Sequence, residues 1–370
     1  MPTRKKTANA AESEEFLGED VFARIKVVGV GGSGCHAINR MISSRIKGVE
    51  FVAINTDAQD LHHCDAPVRV QIGQTATRGL GAGADPEVGR KSAEEDKEAI
   101  YQALKDADMV FVTCGMGGGT GTGAAPIVCE IARELGALTI AVVTKPFSFE
   151  GLRRKRIAEE GLLELQPRVD TLITIPNDRL LQVIDKKTSL YDAFSVVDDI
   201  LRQGVQGIAD LITMHGMINV DFADVKAIMR NAGSALMGIG RGTGESRALE
   251  AAKMAIDSPL LELAIDGAKG ILFNITGGPD MAMYEIDEAA RVITEAADPE
   301  ANVIFGAVVD EAMQGEIKLT VIATGFDENY GQARKAESRP AIRPVEDRER
   351  EPEDDRDELD VPAFIRKKIR

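Results

Sequence analysis

The chain has 370 residues, 44% of them hydrophobic, enough for two domains of ordinary size with substantial cores. A net charge of −16, the absence of Trp and an aromatic content of 4% count against a nucleic-acid partner, because phosphate backbones repel such a surface and unpaired bases find few rings to stack on. Cys35, Cys64, Cys114 and Cys129 show no C-x-x-C spacing, and no apolar run reaches the roughly 18 residues of a membrane span, so a zinc site, a disulfide framework and a transmembrane helix are disfavoured and a reducing cytoplasm fits best.

In chain order, residues 1–23 are a polar leader, expected to be disordered, with no apolar stretch of a secretion signal. Residues 24–188 alternate apolar runs with amphipathic ones: "RIKVVGV" then "CHAINRMISS", "VEFVAIN", "DMVFVTC" then "AAPIVCEIAREL", "LTIAVVT" and "TLITIP". That alternation predicts an α/β domain, a parallel sheet with helices on both faces. Residues 189–216 keep apolar residues at helical spacing for about seven turns, which predicts a long central helix spanning two domains. From 217 to 326 the pattern gives a helix in "FADVKAIMRNA", a strand near "ALMGIG", a helix in "ESRALEAAKMAID" and strands in "GILFNI", "ANVIFGAVV" and "IKLTVIAT". This second part reads as a smaller α+β domain. Residues 327–358, rich in Arg, Glu, Asp and Pro, read as a disordered linker. Apolar residues return in "LDVPAFIRKKIR" at 359–370, a segment with no core to join and therefore a partner-binding peptide.

Two glycine clusters carry the chemistry. "GVGGSG" at 29–34 follows a strand and opens a helix, so Gly29, Gly31 and Gly34 satisfy G-x-G-x-x-G, with Asp57 at the distance of a ribose-binding acid. By itself this reads as a dinucleotide site of an NAD-dependent oxidoreductase. The second cluster, "GGGTGTG" at 117–123, also lies between a strand and a helix, and Pro126 suits that helix's first turn. Two helix N-termini on one parallel sheet offer many backbone N–H groups and two positive dipole ends to a single polyanion, which matches a triphosphate better than a dinucleotide. No G-x-x-x-x-G-K-[ST] occurs, so the ordinary P-loop is excluded.

The 117–123 run followed by "AAPIV", together with "NTDAQ" at 55–59, "RGLGAGADPEVG" at 78–89, "TKPFSFEG" at 144–151 and "NVDFADVK" at 219–226, resembles the FtsZ family, the bacterial cell-division homologues of tubulin. The resemblance implies a GTPase domain at 24–188, binding GTP or GDP with Mg²⁺ accompanying the nucleotide and no metal site of the protein's own. It implies self-assembly head to tail into the filaments of a cytokinetic ring, with the nucleotide at the junction between subunits. The protein would be cytoplasmic, assembling at the division site on the inner face of the membrane and held there by membrane-anchoring division proteins that bind 359–370. A tubulin-like filament for segregation or cell shape is the nearer alternative.

Residue by residue, the resemblance puts Gly32, Ser33, Gly34, Cys35 and His36 at the nucleotide, with Ser33 where the family usually has glycine and His36 where it has asparagine. Gly117, Gly118, Gly119, Thr120, Gly121 and Thr122 would wrap the phosphates through N–H groups and hydroxyls, and Ala82 and Gly83 would approach the γ-phosphate. Glu150 and Arg154, four apart, would reach ribose and phosphate, and a surface ion pair is their plain alternative. Asn177 is placed beside ribose and base, though it suits a turn equally well. Phe194 would stack on the base while Asp198, one turn on, accepts from the two donors of guanine. Nothing in the glycine loops can activate water, so the acid must come from elsewhere. Asn219, Asp221 and Asp224 would belong to the synergy loop of the family, which completes the γ-phosphate site of the neighbouring subunit; without the resemblance the two aspartates read as a helix cap or a favourable dipole partner.

Overall fold

A computed structural model of the chain describes residues 23–181, 188–214, 216–258, 261 and 265–326. The leader up to residue 22, the linker and the terminal peptide lie outside the described residues. In the first half, strands β1 (Ile25–Val30), β2 (Val49–Asn55), β3 (Val68–Gln71), β4 (Met109–Gly115), β5 (Leu138–Lys145) and β6 (Thr171–Pro176) alternate with helices. These are α1 (Gly31–Ser43), α2 (Ala58–His62), α3 (Gln74–Thr77), α4 (Pro86–Glu95), α5 (Lys97–Leu104), α6 (Thr120–Glu134), α7 (Leu152–Leu165) and α8 (Asn177–Leu180). Helix α9 (Leu190–Thr213) leads to α10 (Phe222–Met229), β7 (Gly233–Thr243), α11 (Arg247–Ile256), β8 (Gly270–Gly277), α12 (Met283–Glu295), β9 (Asn302–Val309) and β10 (Glu316–Thr324).

The strands lie in the order β3-β2-β1-β4-β5-β6-β7-β10-β8-β9. From β3 to β6 every pairing is parallel, which follows from the helical crossover after each strand. β7 joins β6 in parallel over three residue pairs and turns the sheet antiparallel at β10. The sheet of the second half thus continues that of the first, through a short seam. Strand order reverses between β1 and β4, and such a switch point leaves a crevice at the carboxyl ends of the strands.

Alternating strand residues feed two cores, as a parallel sheet covered on both faces requires. Val27, Phe111, Ile140 and Val142 pack with Ile38 and Met41 of α1 and with Leu201, Val205 and Ile208 of α9. Val28, Val110, Val112 and Ala141 face the other way, toward α4, α5, α6 and α7. A third core lies between the second part of the sheet and helices α11 and α12. Helix α9 crosses from one half to the other because Gly204 and Gly207 let it come close: a Cβ would stand 3.0 Å from the Met237 sulfur at the first position and 2.9 Å from a Thr320 methyl at the second. The N-cap of α9 is Ser189, whose hydroxyl accepts from the Asp192 N–H.

Helix α6 begins earlier than the sequence predicts. It starts at Thr120, within the glycine run, so Pro126 lies inside the helix and not in its first turn. The Gly123 N–H donates to the Gly119 carbonyl at 3.0 Å to close the first turn, and at Gly123 the backbone of α4 runs so close that a Cβ would stand 2.0 Å from the Pro86 carbonyl oxygen. Gly123→Ala is therefore expected to push α4 off α6 and cost about 1–3 kcal/mol of stability. Gly118→Ala, where nothing lies within 4 Å of the new methyl, should melt with the parent in the same thermal unfolding experiment.

Candidate functional site

Both glycine runs end at the switch-point crevice, β1 passing into α1 and β4 into the loop before α6. Neither helix N-terminus has a side-chain cap, so its leading N–H groups are offered to the crevice. The two runs touch: a Cβ on Gly31, which holds a φ of +74°, would stand 3.0 Å from the Gly121 nitrogen. The 81–85 segment closes the third side, its Ala82 methyl and Asp85 nitrogen lying 2.8 Å and 2.9 Å from where a Cβ on Gly119 would be. Gly83 and Gly118 have nothing within 4 Å of such a Cβ and border open space. Gly32 lies against the Asp60 carboxylate.

The hydroxyls are partly engaged within the loops themselves. Gly117 N–H donates to Thr122 Oγ1 at 2.9 Å, and Thr120 shares a 2.6 Å hydrogen bond with Thr56, a residue the sequence did not single out. Gly115 N–H donates to Ser33 Oγ at 2.7 Å. The serine thereby ties the first glycine run to the root of the second. Cys35 is buried, with Asn55 Nδ2 at 3.8 Å from its sulfur and Cys64 Sγ at 3.8 Å from its carbonyl oxygen. All four cysteines are free and buried.

On the base side, α1 and α9 bring His36 and Asp198 to the same face. Burial pushes the Asp198 carboxyl up to about 6, and His36 and Arg40 pull it back toward the charged form. Arg40 was missed in the sequence, although it follows His36 by one helical turn. Phe194, four residues before Asp198, remains 41% exposed, its ring edge-on to Phe147 at 5.5 Å. Exposure on one face and aromatic support on the other set it apart from ordinary core packing. Asn177 opens α8 and is 4% exposed, yet its Oδ1 is buried without a hydrogen-bond partner. A turn-forming asparagine would have spent that oxygen on local N–H groups.

Glu150 and Arg154 form an ion pair at 2.5 Å, although the helix between them is interrupted: Glu150 ends a short 3-10 turn, Gly151 breaks it with a φ of +99°, and Arg154 belongs to α7. Arg154 also packs its backbone against the loop, its carbonyl oxygen 2.8 Å from where a Cβ on Gly117 would stand. Asp57 is the N-cap of α2, accepting from Gln59 and Asp60 N–H groups at 2.9 and 3.3 Å. A carboxylate spent in this way is poorly placed to hold a ribose, which weakens the dinucleotide alternative.

Asn219, Asp221 and Asp224 are not brought to this crevice. Asp221 caps α10 by accepting from the Asp224 N–H at 2.8 Å, and Asn219 Oδ1 accepts from Gly216 N–H at 2.7 Å. Together with the end of α9 they line a cavity of about 330 Å³. Thr213, on its rim, packs against Gly48 ahead of β2, at the amino ends of the parallel strands. It follows Asp198 by 15 residues along α9, about 22 Å of helix. The glycine loops thus stand at the carboxyl ends of the parallel strands and the two carboxylates toward their amino ends. Among the described residues no group of three or more His, Cys, Asp and Glu side chains is placed to hold a metal ion, and no helix is long and apolar enough to cross a membrane.

Comparison with known proteins agrees with this geometry. Residues 24–185 match the model of the tubulin/FtsZ family GTPase domain, and residues 233–327 that of the FtsZ family C-terminal domain. Among solved structures, an empty FtsZ dimer from M. jannaschii is 46% identical, with a TM-score of 0.81 over 85% of this chain and 91% of that one. A GTPγS-bound protofilament of CetZ2 from Haloferax volcanii shares the fold at 21% identity and a TM-score of 0.71, over 85% of this chain and 98% of that one. With its two family domains in order, its glycine loops at the switch point and the M. jannaschii likeness running through both halves, the chain belongs to the tubulin/FtsZ family of GTPases and stands close to FtsZ.

Proposed function

We propose that the chain binds GTP in the switch-point crevice and hydrolyses it when a second copy, stacked head to tail, supplies Asn219, Asp221 and Asp224. One observation carries this reading: the phosphate cradle and the only acids argued for it lie at opposite edges of one chain, where they cannot meet except between copies. The phosphates would lie against the N-termini of α1 and α6, over Gly32, Ser33, Gly34, Gly118 and Gly119, with Ala82 and Gly83 at the γ end. The uncapped helix ends and the absence of side chains around Gly118 and Gly83 fit such a polyanion. The unpaired Oδ1 of Asn177 and the open face of Phe194 fit a nucleoside. Mg²⁺ would be held chiefly by the phosphates. A role in the cytokinetic ring, in the cytoplasm at the division site, follows from the likeness to FtsZ, with residues 359–370 as the attachment point for membrane-anchoring proteins.

GTPase activity per molecule should therefore rise steeply with protein concentration and vanish on dilution, in step with light scattering. Activity independent of concentration would overturn the shared site.

Guanine recognition should also depend on pH. The two donors of guanine favour the ionised Asp198 carboxyl, which burial pushes up to about 6, so below that pH binding GTP must displace its proton. Affinity is expected to be flat above pH 6 and to fall by about tenfold per pH unit below it. Calorimetry between pH 5 and 8 checks this, and Asp198→Asn should flatten the profile.

A further inference from the structure

At the foot of β5 and β6 lies a second cavity, of about 130 Å³, lined by Arg133, Asp170, Lys226, Arg230 and Asn231. The single carboxylate there is already engaged: Asp170 accepts from the Thr139 N–H at 2.9 Å and lies 3.4 Å from the Asn231 N–H. Asp170 keeps its negative charge, and among the residues lining the cavity three cations stand against that one carboxylate. Among the described residues Arg133 donates to the carbonyl oxygen of Pro167 and the side-chain oxygen of Asn231 and forms no ion pair. Lys226 sits over the Phe222 ring at 5.8 Å, and neither it nor Arg230 forms an ion pair among the described residues. Each of the three lies near a helix C-terminus and offsets its dipole there. That accounts for them singly, not for their convergence on one cavity in a chain whose net charge is −16.

We propose that this cavity is a binding site for a small inorganic oxyanion of the phosphate type, held by Arg133, Lys226 and Arg230. Its volume is well below the roughly 300 Å³ at which pockets for larger organic ligands begin, so a nucleotide does not fit. Three cations against one carboxylate around a polar, solvent-reached hollow suit a multiply charged oxyanion, which accepts charge-assisted hydrogen bonds from all three at once. The occupant would link the end of α6 and the start of β5, in the first half of the chain, to α10 in the second. It would therefore brace the short seam between β6 and β7 and steady the helix that Asp221 caps.

The test is thermal unfolding of the full chain against inorganic phosphate, with chloride adjusted to keep ionic strength constant. The parent is expected to gain melting temperature saturably. Arg230→Ala, an exposed position, should melt like the parent in chloride and need roughly tenfold more phosphate for the same gain, whereas Arg230→Lys should respond nearly as the parent does. No saturable gain in the parent overturns the proposal. An equal gain in Arg230→Ala also overturns it, because phosphate would then be acting elsewhere, the glycine crevice included. A melting temperature that rises with protein concentration in chloride, is lowered by Arg230→Ala and ignores phosphate would assign the cations to a carboxylate of a second copy and overturn it as well.

Discussion

Asp221→Ala is expected to bind GTP as the parent does and to hydrolyse it about 10²-fold more slowly or worse, the usual loss when a group that assists proton transfer to or from water is removed. The residue stands toward the amino ends of the parallel strands, away from the glycine crevice at their carboxyl ends, so its own nucleotide should not feel its absence. Mixing separates this account from a folding defect. Gly118 borders open space at the crevice and holds no strained φ, so Gly118→Trp should block nucleotide entry without disturbing α4 or α6. Neither variant hydrolyses GTP well alone. Co-assembled, the blocked chain presents intact Asp221 and Asp224 to the nucleotide of its neighbour, and turnover should recover well above the sum of the two. Mixtures that merely add would sink the inter-subunit site, provided both variants melt near the parent temperature. Because Asp221 also caps α10, its removal carries a stability cost of about 1 kcal/mol, which thermal unfolding measures separately.

Asp198→Ala should erase most of the preference for GTP over ATP. A carboxylate accepting from two guanine donors contributes charge-assisted hydrogen bonds, and losing the pair costs roughly 1.5–3 kcal/mol, or about 10- to 150-fold in affinity. Adenine presents an acceptor where guanine has its ring N–H, so ATP should bind the variant no worse than before. The loss should fall on GTP alone. The position is partly buried and its carboxyl is already pushed toward neutrality, so removing it should not destabilise the fold. Calorimetric titration with both nucleotides decides the matter. An unchanged ratio of affinities would take base recognition away from Asp198 and leave the stacking face of Phe194 to explain any preference that remains.

Much of this was legible in the residues themselves, wherever the signal was local. Strands β1, β2, β4, β5, β6, β8, β9 and β10 are runs of apolar, largely β-branched residues, and α9 carries its period through six turns or more, so hydrophobic patterning sufficed to find them. β3 is four residues at the sheet edge, and α2, α3 and α8 are five or fewer, too short for any period to register. α12 was missed for another reason: it opens at Ala282 with no Ser, Thr, Asp or Asn cap, and Glu285 alone reaches back to the Ala282 N–H. The glycine runs were legible as places of close backbone approach, and the structure brings both to the switch-point crevice. What each polar residue does around it depended on the backbone geometry of its own turn or on burial by distant elements, neither of which the residue type announces. Asp57 and Asp198 are both acids after apolar stretches, yet one is consumed by the first turn of α2 and the other is lifted by burial between α1 and α9. Asn177 and Asn219 both suit turns, but only packing leaves the first with an unpaired oxygen and gives the second a backbone N–H. Periodicity determined the strands and the long helix, and the glycine motifs with the family resemblance the kind of ligand, since those signals lie within a few residues. Tertiary structure alone decided that the cradle and the carboxylates face opposite ways, because the straight span of α9 across the sheet is what holds them apart.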